Sequence, residues 1–207
     1  MNSGGKSRFN ILGFAGSLRA NSYNKHLLNA AAELIPEGSE LEIFDLEGIP
    51  LYNQDKEREP PPRVVEFKSK IRSADALLIA TPEYNYSVPG VLKNAIDWAS
   101  RPYPDNSFDG KPVALMSAST SMLGGARAQY HLRQTCVFLN MHPVNKPEVI
   151  VTFAPQKFSA DGRLTDATAR KLIAELLVNL VDWSKRISTV HPQMVDITSG
   201  SVAGLSD

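Results

Sequence analysis

Three short segments of the chain combine residue types that suit an anion and a flat ring. The first segment, residues 16–24, brings together two hydroxyls, a guanidinium and a carboxamide on Ser17, Ser22, Arg19 and Asn24. These groups donate hydrogen bonds, and the guanidinium adds a charge-assisted fork that suits a phosphate. The spacing matches neither GxGxxG nor GxxxxGK[ST], which disfavours a nucleoside triphosphate. The first segment therefore predicts a phosphate site, with a tight turn capped by Ser22 as the alternative.

The second segment, residues 82–86, reads Pro-Glu-Tyr-Asn-Tyr and directly follows the most apolar run of the chain. Pro82 stiffens the turn, and its exposed main-chain amides can reach a planar heterocycle. Tyr84 and Tyr86 supply aromatic contact area. The second segment therefore predicts a surface for a ring, with a turn whose tyrosines cap the core as the alternative.

The third segment, residues 117–125, begins with Ser117 and Ser119 and ends with Gly124 and Gly125 before a helical pattern. Glycine allows the main chain to approach a flat ring closely. An ordinary flexible connection between a strand and a helix explains the same residues equally well. Taken with the other two segments, the third segment favours a mononucleotide flavin site made of one phosphate cradle and two ring-facing loops.

These segments must be positioned by alternating strands and helices. Apolar runs predict strands at 9–15, 41–44, 74–80, 112–116 and 148–153. Amphipathic stretches predict helices at 22–34, 63–73, 89–99 and 124–139, and a last helix carries the apolar stripe 172–181. The pattern predicts a flavodoxin-like α/β fold, a doubly wound five-stranded parallel sheet of order 2-1-3-4-5 with helices on both faces. Such sheets bind ligands at the carboxyl ends of their strands, so the three segments should meet there.

On these three segments, the chain resembles the NAD(P)H-dependent FMN reductase family, including its quinone- and chromate-reducing members. The residues 92–98, LKNAIDW, are also similar to that family, and the resemblance runs from residue 9 to residue 187. It implies that the first segment binds the FMN phosphate and that the other two segments line the isoalloxazine ring. The cofactor-binding residues implied by the resemblance are Ser17, Leu18, Arg19, Ser22, Asn24, Pro82, Glu83, Tyr84, Asn85, Ser117, Ser119, Gly124 and Gly125.

The resemblance implies an enzyme that transfers hydride from NADPH or NADH through bound FMN to a small acceptor such as a quinone, free flavin, chromate or azo compound. The flavin performs the chemistry, so no side chain is predicted as acid, base or nucleophile. The family also implies a homodimer or homotetramer with FMN near the interface. The alternative is a flavodoxin-like electron carrier or flavin-binding module without its own NAD(P)H activity. Such carriers are often strongly acidic, whereas this chain has 22 Lys and Arg against 22 Asp and Glu.

Composition narrows the other classes of function. A formal net charge of zero argues against nucleic acid or an anionic membrane as partner. The single cysteine excludes an intrachain disulfide, and the four histidines lack the spacing of a metal site. Ser17 lacks the Gly-x-Ser-x-Gly context that a serine hydrolase requires. No stretch approaches the ~20 apolar residues of a membrane span. We expect a cytoplasmic protein with one domain at residues 9–189 and flexible tails at 1–8 and 190–207.

Overall fold

The computed structural model describes residues 8–190, so the tails expected to be flexible fall almost wholly outside the described residues. Within this range the strands are β1 (Phe9–Ala15), β2 (Ser39–Phe44), β3 (Ala76–Ala80), β4 (Pro112–Ala118), β5 (His142–Pro143) and β6 (Val149–Val151). The helices are α1 (Tyr23–Glu33), α2 (Pro62–Ser73), α3 (Gly90–Ala99), α4 (Ala126–Phe138) and α5 (Ala167–Val190). Strands and helices alternate as far as β4 and α4, as the sequence predicts.

The strands form one parallel sheet in the order β2-β1-β3-β4-β5, which confirms the predicted flavodoxin-like topology. The fifth position, expected as one strand at 148–153, is divided between two short strands. β5 pairs with the start of β4 through Pro112 and His142, and β6 pairs with its end through Met116 and Val149. Pro147 lies in the interruption, and because proline has no main-chain N–H it cannot donate to a ladder there.

Alternating side chains of the sheet supply two separate apolar cores. Ile11 and Leu78 face α1 and α5, whereas Leu12 and Leu77 face α2, α3 and α4. Every residue of β3 is buried, as expected for a central parallel strand covered on both faces. Each fully buried leucine of this kind contributes about 1.5–3 kcal/mol to folding. The cores hold the strand ends rigidly, and these ends carry the three segments.

Local signals explain where the helices near the strand ends begin. Ser22 adopts an extended conformation, and its hydroxyl accepts a hydrogen bond from the Asn24 N–H at 3.3 Å, so α1 starts at Tyr23. Helix α4 begins at Ala126 rather than at the expected residue 124, because Gly124 and Gly125 have left-handed backbone angles. None of the helices in residues 8–190 has both the length and the apolar character that crossing a membrane requires.

Candidate functional site

The three segments meet at the carboxyl ends of β1, β3 and β4, where they enclose a cleft of about 210 Å³. Main-chain hydrogen bonds just beyond the strands align the segments, from Gly16 N–H to Ala80 O and from Thr81 N–H to Met116 O, each at 2.9 Å. We call this space the strand-end cleft. Its lining residues are Ser17, Arg19, Ser22, Tyr23, Asn24, Pro82, Glu83, Tyr84, Ala118, Ser119 and Thr120.

The first segment places hydroxyls and a helix end at the cleft. Ser17 and Ser22 are each only 5% exposed, and the Ser17 hydroxyl accepts a hydrogen bond from the Arg19 N–H at 3.4 Å. Helix α1 begins at the cleft and has no acidic side chain in its first turn. The free N–H groups and the positive dipole end of such a helix attract an anion, and no carboxylate in the first turn of α1 opposes it. The first segment therefore offers what a phosphate needs.

Arg19 lies at the exposed rim of the strand-end cleft. Its Nε and Nη2 donate hydrogen bonds to the Asn21 carbonyl at 3.1 and 2.5 Å, which curls the side chain back over its own loop. The guanidinium carbon lies 5.9 Å from the centre of the Tyr23 ring. The guanidinium therefore keeps most of its N–H groups available to an anion while the loop fixes its position.

Asn24 is 2% exposed, and its side chain connects the first and third segments. The amide nitrogen donates to the Ala118 carbonyl at 3.0 Å, and the amide oxygen accepts from the Ala118 N–H at 3.0 Å. The sequence pattern predicts this amide as a donor to the phosphate. The structure adds a main-chain partner 94 residues away, so Asn24 holds two walls of the cleft together.

The second segment forms a tight two-residue turn on the other side of the cleft. The Tyr84 N–H donates to the Ser87 carbonyl at 3.1 Å, and the Ser87 N–H donates back to the Tyr84 carbonyl at 3.0 Å. Asn85 and Tyr86 both have positive φ, 49° and 67°, the pattern of a type I′ turn. Tyr84 and Tyr86 are 53% and 69% exposed. The tyrosines therefore present aromatic surface to solvent and do not cap the core.

Glu83 fixes the second segment to α4. Its carboxylate accepts hydrogen bonds from the main-chain N–H groups of Arg127 and Ala128 at 3.0 and 3.4 Å and from the Arg127 Nε at 2.5 Å. Helix α4 has Gly125 at its N-cap, which offers no side-chain acceptor, so the Glu83 carboxylate is the cap. The hydrogen bond to Glu83 raises the pKa of the Arg127 guanidinium.

Arg127 extends this connection to the tip of the turn. Its guanidinium carbon lies 3.4 Å from the centre of the Tyr86 ring, a cation–π stacking distance. The Glu83 side chain is 7% exposed and points to α4, so this residue contributes main chain to the cleft rather than its carboxylate. Sequence reasoning missed this role because the acceptor and its donors are more than 40 residues apart.

The third segment contributes Ala118, Ser119 and Thr120 to the cleft, while its other predicted residues serve packing. Ser117 is fully buried, and its hydroxyl accepts from the Gln129 Nε2 at 2.8 Å. A Cβ at Gly125 would lie 2.7 Å from the Ser117 Cβ. The glycines are therefore required where α4 starts against the sheet, a reason different from the expected close approach of main chain to a ring.

The strand-end cleft thus gathers eight of the predicted binding residues: Ser17, Arg19, Ser22, Asn24, Pro82, Glu83, Tyr84 and Ser119. Five others lie outside its lining: Leu18, Asn85, Ser117, Gly124 and Gly125. The predicted binding residues do not include Tyr23, Ala118 or Thr120, although each of these lining residues adjoins one of them. Within residues 8–190, no group of three or more His, Cys, Asp or Glu side chains could hold a metal ion.

The fold and the cleft together define a mononucleotide-binding protein of the flavodoxin-like class. The hydroxyls, the guanidinium and the α1 end fit a phosphate, and the tyrosine turn fits a planar ring system. Residues 9–156 match the family model described as NADPH-dependent FMN reductase. The chain belongs to the NADPH-dependent FMN reductase family, which confirms the resemblance, and it is an oxidoreductase that uses FMN and NAD(P)H.

Individual relatives agree with this membership. An NAD(P)H-dependent FMN reductase of Pseudomonas aeruginosa is 56% identical over 86% of this chain and 96% of its own length. A 2-hydroxy-1,4-benzoquinone reductase of a Burkholderia species is 41% identical over 81% of this chain and 92% of its own. The solved structure of FerB, a flavoenzyme NAD(P)H:(acceptor) oxidoreductase from Paracoccus denitrificans, matches with a TM-score of 0.78 and 34% identity, covering 86% and 97% of the two chains. These matches favour the reductase over the electron carrier.

Proposed function

We propose that this protein reduces a small quinone at the expense of NAD(P)H, with FMN held in the strand-end cleft. The observation that carries the proposal is the convergence of an anion-binding helix end and an exposed tyrosine turn on one cleft. The quinone is suggested by the 2-hydroxy-1,4-benzoquinone reductase of Burkholderia and by an NAD(P)H:quinone oxidoreductase of Solanum tuberosum, which is 46% identical over 82% of this chain and 90% of its own.

The first segment would hold the cofactor by its phosphate. Ser17, Ser22 and the first-turn N–H groups of α1 donate to the phosphate oxygens, and Arg19 adds a positive charge at the rim. Asn24 keeps these donors in register with the third segment through its two bonds to Ala118. When bound, FMN accepts hydride from NAD(P)H and passes the electrons to the acceptor.

The second and third segments would orient the ring system. Main chain at residues 82–84 and 118–120 lines the cleft, where the N–H groups of Glu83 and Thr120 would donate to the ring. Tyr84 is half exposed, so one side of the cleft stays open to a flat acceptor such as a quinone. Within residues 8–190, the one carboxylate in the lining of the cleft belongs to Glu83, and it caps α4. We therefore assign no side chain of the cleft a role in proton transfer to the acceptor.

The proposal also covers the oligomeric state of the protein, its compartment and the extent of its domain. We expect one FMN-binding domain at residues 9–189, in the cytoplasm, assembled as a homodimer or homotetramer with FMN near the interface. Exposed apolar side chains on the first and third segments support such an interface: Leu18, Met122 and Leu123 are 48%, 71% and 42% exposed. Burying these side chains against a second copy would remove apolar surface from water beside the cleft.

Spectroscopy of the purified protein tests the function. We expect a yellow protein whose flavin absorbance is lost when NADPH or NADH is added without oxygen and returns when a quinone is added. Steady-state rates should follow a ping-pong pattern, because donor and acceptor use the same open side of the cleft. A holo-protein that oxidises neither NADPH nor NADH with quinone, ferricyanide or free FMN would overturn the proposal.

The phosphate assignment has its own test in Arg19→Ala. Loss of one charge-assisted contact should weaken FMN binding by about 1–3 kcal/mol, or roughly 5- to 150-fold, measured by quenching of FMN fluorescence on titration. Arg170→Ala is the matched control, because Arg170 forms its ion pair with Glu33 at the opposite end of α1. Equal affinity of the two variants would contradict a role of Arg19 in holding the phosphate.

A further inference from the structure

A second and larger cleft adjoins the strand-end cleft at the start of α1. It has a volume of about 610 Å³ and lies between α1 and the chain that follows β6. Arg19 and Tyr23 line both clefts, so a ligand that extends past the end of α1 passes from one into the other. We call this space the hairpin cleft. Its principal lining residues are Arg19, Tyr23, His26, Phe158, Ser159 and Gly162.

The far wall of the hairpin cleft is a short, well-bonded hairpin, residues 158–164. Phe158 and Leu164 pair across its base, and the Ser159 N–H donates to the Arg163 carbonyl at 2.9 Å. Gly162 closes the turn with a φ of 83°, and its N–H donates to the Ser159 carbonyl at 2.9 Å. These bonds hold the hairpin in one conformation.

His26 is held in place between α1 and this hairpin. A Cβ at Gly162 would lie 2.6 Å from the His26 Nδ1, so only glycine allows the hairpin to cover the imidazole ring. Within residues 8–190 neither ring nitrogen of His26 has a hydrogen-bond partner, although the ring lines the cleft. An imidazole fixed in this way can bind a hydroxyl or phosphate oxygen of a ligand.

The remaining lining suits a heteroaromatic base joined to phosphates. The Tyr23 and Phe158 rings are 5.2 Å apart, and the His26 ring is 6.1 Å from Phe158, so the three form one aromatic corner. Arg19 supplies a guanidinium at the boundary with the strand-end cleft. Asp161 is the acidic group of the hairpin, and its charge is offset by Arg163 at 3.5 Å. A nucleotide could therefore place its base in the corner and its phosphates beside Arg19.

The volumes of the two clefts indicate which nucleotide binds in the hairpin cleft. The strand-end cleft, at about 210 Å³, is smaller than the roughly 300–1,000 Å³ of typical ligand pockets, whereas the hairpin cleft lies well within that range. A dinucleotide whose nicotinamide packs against FMN at the open side of the strand-end cleft must place its other half outside that cleft. We infer that the hairpin cleft binds the adenosine diphosphate half of NAD(P)H, an inference that rests on the proposed function.

Charge placed in the hairpin cleft tests this inference. Ala160 lines the cleft from the exposed hairpin tip, so Ala160→Glu adds a negative charge there, and Ala160→Gln is the neutral control of equal size. In the holoenzyme, Ala160→Glu should raise the KM for NADPH about five- to tenfold, because a carboxylate repels the diphosphate. Neither variant should alter kcat, FMN affinity, or the KM for reduced nicotinamide mononucleotide, which lacks the adenosine half.

Direct binding separates this inference from the proposed function. Calorimetry of the holoenzyme with ADP should detect binding that Ala160→Glu weakens and Ala160→Gln retains, whatever the redox activity. His26→Gln should weaken ADP binding several-fold without a change in FMN affinity, because one fixed contact is lost. Absence of ADP binding, or equal KM effects on NADPH and the mononucleotide, would overturn the inference. If NADPH is not oxidised at all, the proposed function fails, and the ADP titration still decides whether the cleft binds this ligand.

Discussion

Replacing Glu83 with alanine removes the carboxylate that caps α4 across the cleft. The change leaves the N–H groups of Arg127 and Ala128 without their acceptor, at a helix start where Gly125 cannot substitute. Loss of an N-cap costs about 0.5–2 kcal/mol, and the nearly complete burial of the Glu83 side chain places the loss at the upper end, about 2 kcal/mol. For a protein of this size, that lowers the melting temperature by about 4–8 °C.

Thermal unfolding of the apoprotein, followed by circular dichroism, measures this loss, and two variants serve as references. Glu83→Gln keeps an amide oxygen that can accept from the same N–H groups, so its melting temperature should fall by about half as much. Asp97→Ala removes an exposed i,i+4 partner of Lys93, and such pairs contribute only about 0.3–0.5 kcal/mol. If Glu83→Ala destabilises no more than Asp97→Ala, the capping argument is refuted.

Two further predictions concern groups away from the cleft. Burial raises the pKa of the Cys136 thiol to about 11, so the folded protein should not react with a thiol reagent at neutral pH, and unfolding in urea should restore the reaction. Burial raises the pKa of Asp105, but hydrogen bonds and charges from Lys68 and Arg72 outweigh it, and the pKa lies below the usual 3.8. Asp105 therefore stabilises the fold above pH 3.8 and loses this effect as the pH falls further. The stability difference between the wild type and Asp105→Asn, measured by urea unfolding, should be full at neutral pH and shrink through that acidic range.

Much of the fold could be predicted because each early element carries its own signal. The fully apolar β3 and the Ser22 cap at the start of α1 are local patterns, and the topology then follows from the alternation of strands and helices. The fifth sheet position could not be predicted in this way. β5 and β6 contain two and three residues, too few for a periodic pattern, and their pairing with β4 defines them.

The site was predictable as a meeting of segments, but the use of each side chain was not. Strand order alone brings the ends of β1, β3 and β4 together, whereas the partners of Asn24, Glu83 and Ser117 depend on tertiary contacts. Asn24 bonds main chain 94 residues away, and Ser117 bonds a helix that packs above it. Residue types therefore identify side chains that can form hydrogen bonds, while only the fold decides whether a ligand or the protein itself is the partner.

The divided fifth position also limits how copies of this protein can associate. Strand addition needs a long row of free N–H and C=O groups, and the β5–β6 edge offers only two short pieces of such a row. On the opposite edge, β2 carries Glu40 and Glu42, which form ion pairs with Arg8 at 4.0 Å and Lys70 at 2.6 Å. Charged side chains of this kind discourage a continuous intermolecular sheet and the aggregation that follows from it. Contact between copies is thereby directed to the helices and loops.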